Sequence, residues 1–166
     1  KHEKKNNISK VVFKNNLKID VCLTSVKIRN KKGINVNSFD VWEEIIIDID
    51  YVINRSLSGF SISLIIQRNG QNICKSWDTD LNPELFKKRK LGNYQSRVIL
   101  PSGFFPEGVY TITIGSGYPH LNQEIQNHSR ILVFNINYGD FRGYNSFNTS
   151  PATVLMPLKW NLKNKN

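Results

Sequence analysis

Hydrophobic and polar residues alternate along most of this chain, which is the pattern of half-buried β-strands. The clearest example is residues 44–53, where three isoleucines and Tyr51 share one face while Asp48 and Asp50 share the other. Residues 60–67 alternate in the same way. The Asn69-Gly70 pair that follows is typical of a tight hairpin, so we expect Gln71–Trp77 to pair with residues 60–67.

A second pair of strands lies in residues 92–114. Pro101 cannot donate a hydrogen bond to a neighbouring strand and therefore ends the first, while Gly108 allows the second to begin. We interpret residues 116–130 as a long loop and residues 82–90 as a helical turn or a loop. With about seven to eight strands and no long amphipathic helix, the pattern predicts an all-β fold, an immunoglobulin-like antiparallel β-sandwich. The remaining predicted strands are residues 17–29 and 131–138.

Length and composition fit one folded domain. The chain has 166 residues, of which 39% are hydrophobic and 11% aromatic. The opening KHEKKNN is a charge run of the kind that links domains. We therefore assign residues 1–16 to a basic linker from an upstream domain, 17–160 to the sandwich with a C-terminal segment at 139–160, and 161–166 to a tail.

The net charge of +10 raises the question of a nucleic-acid partner. The lysines are concentrated in the termini and loops, whereas nucleic-acid modules interleave cations with stacking aromatic residues along one face. We therefore predict no nucleic-acid partner. Two interpretations stay open: the charged side chains only keep the surface solvated, or they attract an anionic glycan or an anionic membrane surface.

The sequence gives little support to catalysis or metal binding. Its three histidines, His2, His120 and His128, lack the spacing of metal ligands, and no Gly-x-Ser-x-Gly motif is present. Asp48 and Asp50 resemble a glycosidase pair only superficially, because outward carboxylates on a strand more often keep it soluble. We expect no catalytic residue, no metal site and no cofactor.

A series of short motifs runs in order along the chain. The motifs are residues 26–30 followed by Gly33, then 39–43, 45–51, 65–70, 92–94, 99–101, 108–110, 134–136, and VLMPLKW at 154–160. In this order they resemble one known family, the C-terminal carbohydrate-binding domain of the ATP-binding subunit of O-antigen-type polysaccharide ABC exporters (the Wzt C-terminal domain family). The resemblance covers nearly the whole chain after Asn16. Trp42 stands where the family has a glycine, and residues 150–152 lack the glycine that introduces its terminal strand.

The resemblance implies a non-catalytic domain that recognises a surface polysaccharide for ATP-driven export across the inner membrane. It also implies a homodimer, contact with a membrane-embedded transporter subunit through the full-length protein, and a cytoplasmic location at the inner membrane face. No phosphate-binding loop occurs in this chain, so the ATPase would precede Lys1. Two alternatives stay open: an accessory domain of a polysaccharide-modifying transferase, and an immunoglobulin-like protein-interaction module.

We expect the glycan on the outer face of the sheet that contains residues 60–67 and 108–114. Hydroxyl and amide side chains there can bond sugar hydroxyls, and aromatic rings can stack on the apolar face of a sugar ring. Trp77 has the same strand parity as Ile73, which favours a position in the core. The alternative is a position at the rim of a binding site. Trp42 is a further aromatic candidate. The candidate carbohydrate-binding residues are Ser61, Ser63, Gln67, Trp77, Thr111, Thr113, Tyr118 and Asn135.

Overall fold

The computed structural model describes residues 8–138, which form nine β-strands and two short 3₁₀ turns. No α-helix occurs within that range. The strands are β1 (Lys10–Val12), β2 (Val21–Asn30), β3 (Ser38–Asp40), β4 (Ile45–Ile53), β5 (Ser61–Arg68), β6 (Gln71–Trp77), β7 (Gly92–Leu100), β8 (Gly108–Tyr118) and β9 (Gln123–Asn137), and the turns are Pro83–Phe86 and Pro119–Leu121.

The strands form two sheets that share one hydrophobic core. Sheet A has the order β1-β2-β4-β7 and is antiparallel throughout. Sheet B has the order β3-β9-β8-β5-β6 and is antiparallel except that β3 runs parallel to β9. The predicted all-β, immunoglobulin-like sandwich is therefore confirmed.

The core is built from the inward side chains of both sheets, as the alternation in the sequence requires. Ile47 and Ile49 of β4 are buried, and Ile62, Leu64 and Ile66 of β5 are buried opposite them. Burying a side chain of this size stabilises the fold by roughly 1.5–3 kcal/mol. The inward set is therefore what holds the sheets together.

Tyr110, near the start of β8, stabilises the corner that precedes this strand. It is fully buried, and its hydroxyl donates a hydrogen bond to the carbonyl oxygen of Pro106 at 2.7 Å. Its ring stacks on Phe134 at 5.4 Å and meets Phe105 edge to face at 5.5 Å. A tyrosine that bonds back to the backbone a few residues upstream is a recurrent device of immunoglobulin-like folds.

Three segments differ from the strand predictions. The first long strand begins at Val21 rather than at residue 17. Lys10–Val12, within the predicted linker, forms β1 and extends sheet A. The predicted loop at 116–130 is wrong, because β8 continues to Tyr118 and β9 starts at Gln123 after one tight turn. The predicted C-terminal segment and tail lie outside the described residues.

Candidate carbohydrate-binding groove

The outer face of sheet B is organised by the register of β5, β6 and β8. Ser63 of β5 lies opposite Trp77 of β6 on one side and opposite Gly115 of β8 on the other. One step along the strands, Ile65 lies between Lys75 and Thr113. Register thus brings a large aromatic residue beside positions with very small side chains.

A groove of about 330 Å³ follows from this arrangement. It crosses sheet B from the end of β6 to the turn between β8 and β9, and we call it the Trp77 groove. Its lining residues are Ser63, Ile65, Lys75, Trp77, Thr113, Gly115, Ser116, Gly117, Tyr118, Pro119, Asn122, Gln123, Glu124, Gln126 and Asn127.

The floor depends on two glycines of β8. A methyl group at Gly115 would lie 2.9 Å from Ser63 Oγ, and one at Gly117 would lie 2.4 Å from the carbonyl oxygen of Gln123. Side chains at these positions would therefore collide with Ser63 of β5 or with the backbone of β9. A glycine within a strand often marks such a close approach.

Trp77 forms one wall and is fixed at its backbone. Its amide donates a hydrogen bond to Asp80 Oδ2 at 2.7 Å. Lys75 lies two residues earlier on the same strand, and its ammonium group is 4.6 Å from the centroid of the Trp77 ring. This cation–π contact orders Lys75 at the groove and places one positive charge there.

The opposite wall is polar. Asn122 adopts a left-handed conformation with φ of 51° at the turn, and Gln123, Glu124 and Asn127 follow on β9. Glu124 Oε1 accepts a hydrogen bond from Asn127 Nδ2 at 3.0 Å. Burial raises the pKa of Tyr118 above its usual value, and the negative charge of Asp20 raises it further, so the phenol remains a donor at neutral pH. Amide, hydroxyl and carboxylate groups together can pair with the donors and acceptors of sugar hydroxyls.

The structure brings four of the eight predicted residues together in this groove. Ser63, Trp77, Thr113 and Tyr118 all line it. The expectation that Trp77 lies in the core is wrong, because the indole is half-buried on the outer face beside Ser63.

The other four predicted residues lie elsewhere in sheet B. Ser61 is fully buried, and its hydroxyl lies 2.9 Å from that of Thr79, so it is not exposed as expected. Gln67 Nε2 donates to Asn72 at 2.9 Å, and Thr111 donates weakly to Gln67 Oε1 at 3.5 Å, farther along the face. Asn135 pairs with Val109 and with β3, near the edge away from the groove.

Sequence reasoning missed Lys75, the two floor glycines and the polar residues of the β8–β9 turn. The sequence carried a signal for Lys75 and for Gly115. Lys75 has the same strand parity as Trp77, and Gly115 alternates in phase with Thr111 and Thr113. Residues 119–130 carried no strand signal.

A second cleft, of about 410 Å³, opens between β6 and β7, the free edges of the two sheets. Its lining is mixed: it includes the apolar Leu64, Leu81 and Val98 and the charged Asp78, Asp80 and Arg97, and it shares Ser63 and Trp77 with the Trp77 groove. The Trp77 groove offers more hydrogen-bonding groups, and it is therefore the better candidate for a sugar ligand.

Within residues 8–138, no helix is long and apolar enough to cross a membrane. No group of three or more His, Cys, Asp or Glu side chains in that part of the chain is arranged to hold a metal ion.

The fold is an immunoglobulin-like sandwich with a groove on the outer face of one sheet. Residues 18–147 match the model of the Wzt C-terminal domain family, and the chain belongs to that family. A solved structure described as the crystal structure of the C-terminal domain of wzt is similar in fold, with a TM-score of 0.65 at 11% sequence identity. That similarity covers 97% of this chain and 90% of the other. No curated protein matches the sequence.

Proposed function

We propose that this domain is a non-catalytic carbohydrate-binding module that recognises a surface polysaccharide of the O-antigen type for ATP-driven export across the inner membrane. The observation that carries the proposal is the Trp77 groove, in which an aromatic wall faces a wall of amides and a carboxylate across a floor that includes Gly115 and Gly117. Membership of the Wzt C-terminal domain family supports the same assignment.

The groove suits a sugar ring for a physical reason. A pyranose has an apolar face that packs on an aromatic ring and a rim of hydroxyls that needs donors and acceptors. Trp77 supplies the first, while Asn122, Gln123 and Asn127 supply the second from the opposite wall. The glycine floor allows a ring to lie between them.

Lys75 affects how a sugar would stack on Trp77. Its ammonium group already lies over the Trp77 ring, so a sugar must share or replace that contact. Because Lys75 is exposed, moving its side chain costs little. The ligand would therefore exchange one weak contact for a larger stacked surface.

In the full-length protein, this domain would lie at the cytoplasmic face of the inner membrane and be joined to an ATPase domain. The protein would act as a homodimer and would contact a membrane-embedded transporter subunit. The domain would need no cofactor, and its affinity for each sugar would be modest because the chain must be released for export.

The test is calorimetric titration of the chain with the producing organism's surface polysaccharide and with unrelated glycans. We expect saturable binding to the cognate glycan only. Replacing the stacking ring in Trp77→Ala should weaken binding roughly tenfold, the equivalent of about 1.4 kcal/mol. Trp42→Ala is the matched control, because Trp42 is an exposed tryptophan outside the groove.

Each other outcome has a defined meaning. Loss of binding in Trp42→Ala but not in Trp77→Ala would move the site away from the groove. Absence of binding to every glycan by a folded chain would overturn the proposal and favour a protein-interaction module. Binding to the cognate glycan by a full-length protein whose upstream domain is a transferase would favour the accessory-domain alternative.

A further inference from the structure

We propose that the outer face of sheet A carries a second binding site, which takes the phosphate group of a soluble phosphate monoester. The site is a cluster of four cations that we call the cationic patch: Lys10, Lys27, Arg29 and Arg97. It lies on the opposite sheet from the Trp77 groove and does not depend on the function proposed for that groove.

Asp48 organises the patch. The alternation in the sequence predicts an ordinary solvent-facing carboxylate, but Asp48 is fully buried beneath its neighbours. It accepts hydrogen bonds from Arg97 Nε at 2.7 Å and from Arg29 Nε at 2.8 Å. Lys27 Nζ lies 3.7 Å from the same carboxylate. Register accounts for this, because Asp48 lies directly between Lys27 and Arg97 across three strands.

Arg29 and Arg97 each bind Asp48 through only part of the guanidinium group, which leaves the rest of that group available to a ligand. Both donate to the carboxylate through Nε, and their terminal amino groups make no hydrogen bond to any described residue. An arginine fixed at Nε presents its remaining donors in a defined orientation, and such a planar set of donors suits phosphate oxygens. Asp48 thus holds the two side chains in place for binding.

The patch carries more positive charge than the fold requires. One carboxylate faces three cations, and Lys10 lies directly opposite Lys27 in the register of β1 and β2. Like charges opposite each other on neighbouring strands are destabilising. A bound anion would relieve this repulsion, and the two excess charges around Asp48 match a phosphate dianion.

A nearby acid reduces the excess positive charge without cancelling it. Asp50 is the next outward carboxylate on β4, but its oxygens accept from Ser25 Oγ at 2.6 Å and Gln95 Nε2 at 2.7 Å. In the described part of the chain it forms no ion pair with the patch. The four cations still outnumber the carboxylates of Asp48 and Asp50, so the face keeps a net positive charge that can attract an anionic ligand.

Partial burial makes this cluster different from the scattered surface lysines. The side chain of Arg29 is 14% exposed, that of Lys27 29% and that of Arg97 51%. Solvent screens charges less where they are partly buried, so an anion held here gains more than at a fully exposed lysine. Arg97 remains accessible enough to meet the ligand.

The experiment is a titration of the chain with glucose 1-phosphate, followed by NMR shifts, with glucose and inorganic phosphate as companion probes. We expect saturable binding of both phosphates, with shifts on β2, β4 and β7, and none with glucose. Arg97→Gln should weaken binding roughly tenfold, as expected for loss of a charge-assisted hydrogen bond. Arg55→Gln is the matched control, because Arg55 is 79% exposed and pairs with Asp20 outside the patch.

Several results would overturn this assignment. No saturable binding of glucose 1-phosphate would do so, as would equal weakening by Arg97→Gln and Arg55→Gln, which would show only diffuse charge attraction. Binding to vesicles of phosphatidylglycerol without binding of the soluble phosphates would assign the patch to a lipid surface instead. If Arg97→Gln fails to fold, Lys27→Gln replaces it, with the same expected loss. Failure of glycan binding at the Trp77 groove would leave these outcomes unchanged.

Discussion

The carboxylate of Asp78 accepts a hydrogen bond from Arg89 Nη1 at 2.8 Å, in an ion pair whose side chains are only 10% and 6% exposed. Asp78 directly follows Trp77, and its other oxygen accepts from the amide of Ile62 at 2.9 Å. Arg89 also donates to the hydroxyl of Tyr51 in sheet A. The pair thus fastens the connection between β6 and β7 to both sheets, next to the wall of the Trp77 groove.

Removing the cation of this pair should be strongly destabilising. Arg89→Met leaves the buried carboxylate of Asp78 without its partner, and we expect the free energy of unfolding to fall by about 3–5 kcal/mol. Urea denaturation followed by tryptophan fluorescence measures this. Lys88→Met, at the exposed neighbouring position, is the control and should change stability little. A loss under about 1 kcal/mol in Arg89→Met would contradict the structural role of the pair.

The glycine floor of the groove can be filled without removing any binding group. Gly115→Ala places a methyl group 2.9 Å from Ser63 Oγ, so we expect a loss of roughly 1 kcal/mol in stability and a larger loss in glycan affinity. The companion double variant Ser63→Ala with Gly115→Ala removes that contact and should recover part of the stability, although the carbonyl oxygen of Gln126 still lies 3.2 Å from the new methyl group. Its glycan affinity is compared with that of Ser63→Ala alone, which lacks the same hydroxyl. Recovery of glycan affinity as well would show that the floor does not need to be empty. Thermal unfolding and calorimetry give the two readouts.

Asp48 should make stability depend on acid pH. Burial by itself raises the pKa of this carboxyl, but hydrogen bonds and positive charge from Arg29 and Arg97 outweigh burial and hold the pKa below its usual value of 3.8. The unfolded chain therefore takes up the proton first as the pH falls. The stability that Asp48 contributes is fully present above about pH 5 and is lost as the pH drops through the lowered pKa.

We expect Asp48→Asn to lower stability at pH 7 and to flatten the decline below pH 5, in urea denaturation curves measured at several pH values. Glu84→Gln serves as the control, because the Glu84 side chain is 69% exposed and pairs with Lys87 rather than with a cation of the patch. An Asp48→Asn variant that declines as steeply as the wild type would contradict the assignment.

His128 gives a second pH dependence, at a higher pH. Burial lowers the pKa of this imidazole from 6.5, its ring stacks on Phe13 at 4.1 Å, and its Nε2 has no hydrogen-bond partner among the described residues. The unfolded chain binds the proton more readily, so stability is fully present above the ordinary pKa and falls as the pH drops from about 7 through the lowered value. Thermal unfolding between pH 8 and pH 5 should show this decline.

In His128→Phe, which keeps a ring beside Phe13, the same decline should be absent. His120→Gln changes an exposed histidine of the β8–β9 turn and should keep the wild-type profile. If His128→Phe and the wild type lose stability in parallel, the pH dependence has another origin.

Several strands of the sandwich were predictable because the alternation of hydrophobic and polar residues within each strand specified its buried face. The isoleucines of β4 and the alternating residues of β5 fixed which side faces the core, and Asn69-Gly70 fixed the hairpin to β6. The first half of β9 was not predictable, because polar residues also face the interior there. Gln126 accepts from the amide of Leu23 in sheet A at 2.7 Å, and His128 stacks on Phe13.

The sequence by itself determined that the chain is a β-sandwich and which face of each central strand is buried, since local periodicity encodes both. Only the tertiary structure decided which polar residues are buried and which meet in one site. Ser61 lies under the segment after β6, and Asp48 lies beneath three cations from neighbouring strands. Both outcomes depend on strand register and on contacts between residues far apart in the chain, which periodicity within a single strand does not specify.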